Sequence, residues 1–324
     1  MPTDTMSGSG AMHAVIDIGT NSVKLLVAQA SSRGLIRIHE ESEQTRLGQG
    51  FYKTHQLNRE AIARTCEAVE RSAATARRYG ASSITTIATS AVRDASNQQE
   101  LVSAIHTMSH LTTEVLSGEQ EANLVFEGVA SDPALATNEL FVVDVGGGSS
   151  EFILGKGERQ RFSQSFTLGT VRMLDLFRPN DPPEQADFDK VTSHLDHFFE
   201  ATVLPSFPIQ PNPTNGEKPL LIATGGTSTL LAMMHLGTNV FDPQKIESIV
   251  LTHSEIKERG DQLWKMPLSK RKQVVGLPIP KSDVVLMGVA IVEAIMRHYS
   301  FSELRISTRG LGFALAQRAM EVLP

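Results

Sequence analysis

Two segments of the chain repeat one local pattern, and this repeat constrains the fold more than any other feature of the sequence. They run from Ala14 to Val27 and from Phe141 to Leu154. In each, β-branched and apolar residues flank a turn of small residues, which predicts strand, turn and strand. Asp17 of the first aligns with Asp144 of the second, an offset of 127 residues. This spacing is too long for a solenoid and predicts two homologous domains, each beginning with the same β-hairpin.

The rest of the 324 residues alternates helical and strand patterns, so we predict an α/β protein. Expected helices are 58–79, 98–108, 119–129, 188–202, 283–297 and 312–322, and expected further strands are 83–89, 115–117, 220–224 and 304–307. Residues 91–97 and 205–219 are predicted loops, and 132–138 has the composition of a connection. We therefore predict a disordered N-terminus and two domains, with bounds 1–11, 12–135 and 136–324.

Composition excludes several classes of function. The net charge of −6 argues against a nucleic-acid-binding protein, although a local basic cluster can still bind a polyanion. A single cysteine, Cys66, excludes a disulfide framework and favours a reducing cytoplasm. The ten histidines show no paired metal-ligand spacing. The first apolar stretch is interrupted by Asp17, Asn21 and Lys24, so we expect no membrane partner.

The two hairpin turns carry the chemistry. Glycines let successive backbone N–H groups approach an anion, and hydroxyl groups add donors for phosphate oxygens. The predicted phosphate-binding residues in the turns are Asp17, Gly19, Thr20, Asn21, Ser22, Gly146, Gly147, Gly148 and Ser149. An aspartate beside a phosphate requires a divalent cation between the two anions, and Mg²⁺ is the usual bridge. Ordinary hairpin turns with solvated aspartates are the alternative, which the paired occurrence disfavours.

Four further motifs follow in order along the chain: Ala88-Thr-Ser-Ala-Val-Arg93, Ser117-Gly-Glu-Gln-Glu121-Ala122, Leu168-Gly-Thr-Val-Arg172 and Ala223-Thr-Gly-Gly226-Thr. Together with the paired turns they resemble the exopolyphosphatase/guanosine pentaphosphate phosphatase (Ppx/GppA) family. That family is part of the actin-like ATPase superfamily, with sugar kinases and heat-shock ATPases. The resemblance covers Ala14 to about Phe313. It implies two α/β domains of ribonuclease-H-like topology, with the active site in the cleft between them.

The resemblance also implies roles for single residues. Glu121 matches the family's base, which orients and deprotonates the attacking water. Asp144 and Glu151 match its metal-binding carboxylates, for Mg²⁺ or Mn²⁺. Arg93 would contact the bound phosphate chain. The weaker cleft-lining candidates are Lys24, Arg172, Gly225 and Gly226.

Simpler interpretations exist for some of these residues. Glu121 could merely favour a helix N-terminus through the dipole, and Arg93 could merely pair with Asp94 on the surface. The basic run 270–272 is more typical of a solvated loop than of a polyanion site. Asp144 and Glu151 can reach one cation only if the turn folds the two strands together.

The implied function is metal-dependent hydrolysis of the terminal phosphoanhydride of inorganic polyphosphate. Guanosine pentaphosphate is a close second substrate, because it presents the same terminal anhydride. Two different functions also fit these motifs, a small-molecule kinase of the superfamily and a non-catalytic sensor of a polyphosphorylated alarmone. Family analogy also suggests a homodimer.

One departure from the family bears on substrate preference. Where the family commonly has a Gly-Leu-Arg-Glu-Gly-like segment, Gly310-Leu-Gly-Phe-Ala314 lacks the Arg and the Glu. Longer relatives also carry additional helical domains, which extend the binding channel. We therefore expect a preference for short polyphosphates or a nucleotide polyphosphate.

Overall fold

The computed structural model describes residues 11–31, 34–207 and 218–321, which form two mixed β-sheets with flanking helices. This confirms the predicted α/β class. Apart from Ala11, the predicted disordered N-terminus lies outside the described residues, as does 208–217 of the predicted loop 205–219. Across the described ranges, no helix combines the length and the apolar character that crossing a bilayer requires.

The first sheet has the strand order β3-β2-β1-β4-β5. Its strands are β1 (Met12–Ile18), β2 (Ser22–Ser31), β3 (Gly34–Gln44), β4 (Ser83–Ala88) and β5 (Thr113–Val115). The helices of this half are α1 (Phe51–Thr54), α2 (Arg59–Arg78), α3 (Ser90–Arg93), α4 (Gln98–Ser109) and α5 (Gly118–Ala130). The Asn58 side chain caps α2 by accepting from the Glu60 N–H at 2.8 Å, as its position predicts. The prediction of a loop at 91–97 was wrong over α3, a single turn too short to show a periodic pattern.

The second sheet has the order β10-β11-β9-β6-β7-β8. Its strands are β6 (Glu139–Val145), β7 (Ser150–Lys156), β8 (Arg159–Phe166), β9 (Leu220–Thr224), β10 (Val250–Thr252) and β11 (Glu303–Ile306). The α-helices here are α6 (Thr170–Phe177), α7 (Gln185–Phe198), α8 (Leu204–Ser206), α9 (Gly225–Leu236), α10 (Pro243–Glu247), α11 (His253–Trp264), α12 (Leu268–Arg271), α13 (Val285–His298) and α14 (Leu311–Glu321). A π-helical turn, Phe199–Val203, joins α7 to α8, and a 3₁₀ turn, Ile279–Lys281, precedes α13.

The repeat in the sequence is a repeat in the topology. Strand β1 pairs antiparallel with β2 and parallel with β4, and β6 pairs in the same two ways with β7 and β9. Each hairpin turn is closed by one bond of 3.0 Å, from Gly19 N–H to the Ser22 carbonyl in the first and from Gly146 N–H to the Ser149 carbonyl in the second. The two hairpins therefore share one turn geometry.

Two helices pack on the sheet of the other half. Helix α5 packs on β7 and β8, and α14 packs on β1, β2 and α5. Helix α5 lies close to the chain that enters α14, because a Cβ at Gly128 would lie 2.4 Å from the carbonyl oxygen of Gly310, the residue before α14. The domain boundary predicted between residues 135 and 136 remains a prediction. A boundary at that point would assign α5 and α14 each to a different domain from the sheet on which it packs.

Candidate active site

The two hairpin turns meet face to face. A Cβ at Gly147 would lie 2.9 Å from Thr20 Cβ, and a Cβ at Gly148 would lie 2.3 Å from the Tyr52 hydroxyl and 2.4 Å from Ser90 Oγ. Real Cβ atoms do not approach other atoms so closely, so only glycine allows this contact between the halves. The two predicted phosphate turns are thus in direct contact, and both border one interdomain cleft.

The second hairpin places two carboxylates side by side. Asp144 on β6 and Glu151 on β7 are directly opposite each other in the antiparallel pair, so their side chains share one face of the sheet. Glu151 is only 1% exposed. Burial raises the pKa of Asp144, and it raises the pKa of Glu151 well above its usual range with help from the charges of Glu121 and Asp144.

The first hairpin carries a lysine at the position that Glu151 holds in the second. Asp17 is directly opposite Lys24, whose ammonium lies 3.6 Å from Asp17 Oδ2. Burial raises the pKa of Asp17, and the lysine opposes this effect. Burial alone would lower the pKa of Lys24, but the charges of Asp17 and Asp144 outweigh it and raise that pKa. Lys24 therefore stays charged beside Asp17, within the electrostatic influence of Asp144.

Glu121 lies in the first turn of α5. Ser117 and Gln120 form a capping box that fixes where this helix begins. Arg93 Nη1 donates to Glu121 Oε2 at 2.8 Å and to the Leu116 carbonyl at 3.1 Å. Burial raises the pKa of Glu121 to about 7, Arg93 opposes the rise, and the charges of Asp17 and Asp144 add to it. A carboxyl group with this pKa is suited to accepting a proton near neutral pH.

Arg93 therefore has a different main partner from the surface ion pair that the sequence allowed. Its Nε lies 3.7 Å from Asp94, farther than the 2.8 Å to Glu121. Its side chain is 21% exposed, so the guanidinium is mostly enclosed. Contact between Arg93 and a phosphate chain remains a prediction. It would require the guanidinium to bind the phosphate either in addition to the Glu121 carboxylate or in place of it.

The other residues predicted in the first turn bond mainly to protein. Thr20 Oγ1 accepts from the Ala91 N–H at 3.3 Å. Asn21 Oδ1 accepts from the Gln44 side-chain amide at 3.1 Å, which ties the turn to the last residue of β3. Ser22 Oγ accepts from Lys281 Nζ at 2.5 Å.

Arg172 and Gly225 line the cleft from the second half. Arg172 Nε donates to the Gly148 carbonyl at 2.9 Å, and its guanidinium lies 4.1 Å from the centre of the Tyr52 ring. Gly225 has φ of +83°, and a Cβ there would lie 2.0 Å from Asp144 Oδ1. At Gly226, by contrast, no atom outside its chain neighbours and the backbone of its own helix would lie within 4 Å of a Cβ. Gly225 therefore sets the position of Asp144, whereas Gly226 borders open space.

The site predictions did not include three side chains that lie at this cleft. Ser90 and Tyr52 surround Gly148, and Ser90 belongs to the motif at 88–93 that already identified Arg93. Lys281 follows Pro278-Ile-Pro280, a segment with no signal for a site. Burial and the charge of Lys24 lower the pKa of Lys281 to about 8, and Asp283 opposes them. Only the folded chain brings Lys281 to Ser22.

The cleft has donors for a divalent cation but no complete cage. Among the described residues, no three His, Cys, Asp or Glu side chains are placed to hold a metal ion together. Asp144 and Glu151 supply two adjacent carboxylates, and Asp17 Oδ1 is buried without a hydrogen-bond partner. Mg²⁺ is commonly held by one or two carboxylates with water and substrate phosphates completing its shell. The donor set fits such a cation, shared with a phosphorylated ligand.

Known proteins resemble this chain over most of its length. Residues 26–313 match the model of the Ppx/GppA phosphatase family. Exopolyphosphatase 2 of Mycobacterium tuberculosis is 29% identical over 294 residues, which are 88% of this chain and 89% of that protein. The crystal structure of the Aquifex aeolicus Ppx/GppA family member aligns with TM-score 0.76 and 27% identity, over 96% of this chain and 98% of that one. An exopolyphosphatase from Cytophaga hutchinsonii has the same fold, with TM-score 0.84 and 24% identity over 97% and 99% of the two chains. The chain belongs to the Ppx/GppA phosphatase family.

Proposed function

We propose that this protein is an exopolyphosphatase, which hydrolyses the terminal phosphoanhydride of inorganic polyphosphate and releases orthophosphate. The observation that carries the proposal is the Glu121 carboxyl group, which is largely enclosed and accepts from Arg93 at 2.8 Å, and whose pKa is raised to about 7 by burial and by the charges of Asp17 and Asp144 from the two hairpins. Family membership and the exopolyphosphatase relatives support the same reaction.

In this mechanism the backbone N–H groups of the two turns hold the terminal phosphate. A water oxygen attacks the terminal phosphorus in line with the bridging oxygen, and Glu121 accepts the proton of that water. The bond from phosphorus to the bridging oxygen breaks, and the bridging oxygen leaves on the shortened chain. Lys24 and Arg93 offset the negative charge that the phosphates bring into the cleft.

Asp144 and Glu151 are the residues that would hold Mg²⁺ or Mn²⁺. When bound, the cation would neutralise negative charge on the phosphate oxygens. Burial is the main cause that raises the pKa values of both carboxyl groups, because a negative charge without a partner is costly at these positions. A bound cation would compensate both charges, which supports this assignment.

The test is phosphate release by the purified protein in Mg²⁺ from short polyphosphate, long polyphosphate and guanosine pentaphosphate. We expect release from a short polyphosphate without any acceptor and its loss in Glu121→Gln, with substrate binding retained. Release only when an acceptor is added would identify a kinase, and tight binding without turnover in Mg²⁺ or Mn²⁺ would identify a sensor. Faster release from guanosine pentaphosphate would make the nucleotide the principal substrate.

A cytoplasmic location and a homodimer, both expected from the sequence, remain predictions. Cell fractionation tests the first. Light scattering during size-exclusion chromatography tests the second.

A further inference from the structure

Ser165 holds one oxygen of a carboxylate that the proposed reaction uses. It lies on β8 directly opposite Glu151 on β7, so the two side chains share one face of the sheet. Ser165 Oγ donates to Glu151 Oε1 at 2.7 Å. This is the short distance typical of a hydroxyl donating to a carboxylate.

Ser165 is also fixed from its other side. Gly118 is the first residue of α5, and a Cβ there would lie 2.7 Å from Ser165 Cβ and 3.1 Å from its Oγ. The missing side chain lets the start of α5 rest directly on the serine. Since α5 carries Glu121, the serine lies between the helix of the proposed base and the carboxylate proposed for the metal.

We propose that Ser165 is a positioning residue for the divalent cation, acting through Glu151. Ser165 holds Oε1, and Ser149 is a second hydrogen-bond partner of the same carboxylate, so the orientation that Glu151 presents to the cation depends on these hydroxyl groups. This inference rests on the proposed function, because it takes Glu151 as a metal-binding residue. Hydrogen-bond partners of metal-binding side chains typically contribute 10-fold to 100-fold to metal affinity.

The alternative is a purely structural role, in which the hydroxyl only satisfies a buried carboxylate. The two roles differ in what they change. A structural role affects the free energy of unfolding and leaves the affinity of the folded protein for the cation intact. A positioning role weakens cation binding, and a higher Mg²⁺ concentration then restores the rate of phosphate release.

The experiment measures Mn²⁺ binding without turnover, from the loss of the free-ion electron paramagnetic resonance signal, for wild type and Ser165→Ala. Ser163→Ala is the matched control, because it removes a hydroxyl group from the same face of the same strand, where the neighbour across β7 is Ile153. We expect the dissociation constant of Ser165→Ala to rise about 10-fold or more and that of the control to stay at the wild-type value. The Mg²⁺ concentration for half-maximal phosphate release should rise in parallel.

Gly118→Ala provides a second variant if Ser165→Ala does not fold. It keeps both the hydroxyl group and the carboxylate but introduces a Cβ into the space next to Ser165, and it should weaken Mn²⁺ binding as well. A dissociation constant within about twofold of wild type for both folded variants overturns the proposal, as does a wild-type protein that binds no Mn²⁺ at millimolar concentration. Wild-type protein that binds Mn²⁺ but releases no phosphate contradicts the proposed function instead.

Discussion

Replacing Glu121 by glutamine should abolish phosphate release and also stabilise the protein at alkaline pH. The wild-type carboxyl group is largely enclosed, with 12% of its side chain exposed, and burial raises its pKa from an ordinary 4.5 to about 7. Glutamine has nearly the same shape, and its amide oxygen can still accept from Arg93. The substitution therefore removes the cost of a buried charge and keeps the packing.

The magnitude follows from the difference between the two pKa values. One pH unit corresponds to about 1.4 kcal/mol, so the ionised form costs about 3 kcal/mol of folding free energy above pH 7. Because the pKa is higher in the folded state, the folded protein binds more protons between pH 4.5 and about 7. Stability therefore falls as pH rises through this window. Glu121→Gln should gain about 3 kcal/mol at pH 8 and about 1 kcal/mol at pH 5.

Chemical denaturation followed by circular dichroism at pH 5 and pH 8 measures this difference. Glu119→Gln is the control, because Glu119 is in the same turn of α5 but is exposed, so its replacement should leave stability unchanged within about 0.5 kcal/mol. A Glu121→Gln protein that is less stable than wild type, or whose gain is equal at both pH values, would show that no charged group is buried there. Glu121 would then lack the raised pKa that suits it to act as the base.

Three further results are expected. Arg93→Gln removes the group that lowers the pKa of Glu121, so the acidic limb of the pH–rate profile should move up by about 1 to 2 pH units. An acidic limb at the wild-type pH would contradict the ion pair between Arg93 and Glu121. Gly148→Ala places a methyl group within 2.8 Å of three hydroxyl oxygens, which should push the two halves of the protein apart. Phosphate release should then fall at least about 10-fold, and small-angle scattering should show a larger radius of gyration. Gly312→Ala, with open space around it, should change neither quantity. At pH 8, Mg²⁺ at about 100 times its dissociation constant should raise the free energy of unfolding of the wild-type protein by about 3 kcal/mol, measured by thermal unfolding. The same Mg²⁺ concentration should stabilise Asp144→Asn much less. Equal stabilisation of the two proteins would show that Asp144 does not bind the cation.

Local sequence patterns accounted for much of the architecture. The repeated hairpins, the capped helix α2 and the strands β4, β6 and β9 lie within a few residues of their predicted bounds, because turn chemistry and apolar periodicity act over short spans of chain. Strands β3 and β8 were not predicted. Both are edge strands, and each has polar residues along much of its length. The alternation of apolar and polar residues that predicts a strand is therefore weak in both.

Sequence alone was enough to establish that two glycine turns recur with an acidic residue before each, and to place Glu121 in the first turn of a helix. It could not determine that Arg93 pairs with Glu121, that Ser165 holds Glu151, or that Lys281 reaches Ser22 across 259 positions. Such contacts depend on how the two sheets and their exchanged helices pack, and the pKa of each cleft residue depends on the burial and the neighbouring charges that this packing creates. The elements are local in origin, whereas the chemistry of the cleft arises from tertiary contact.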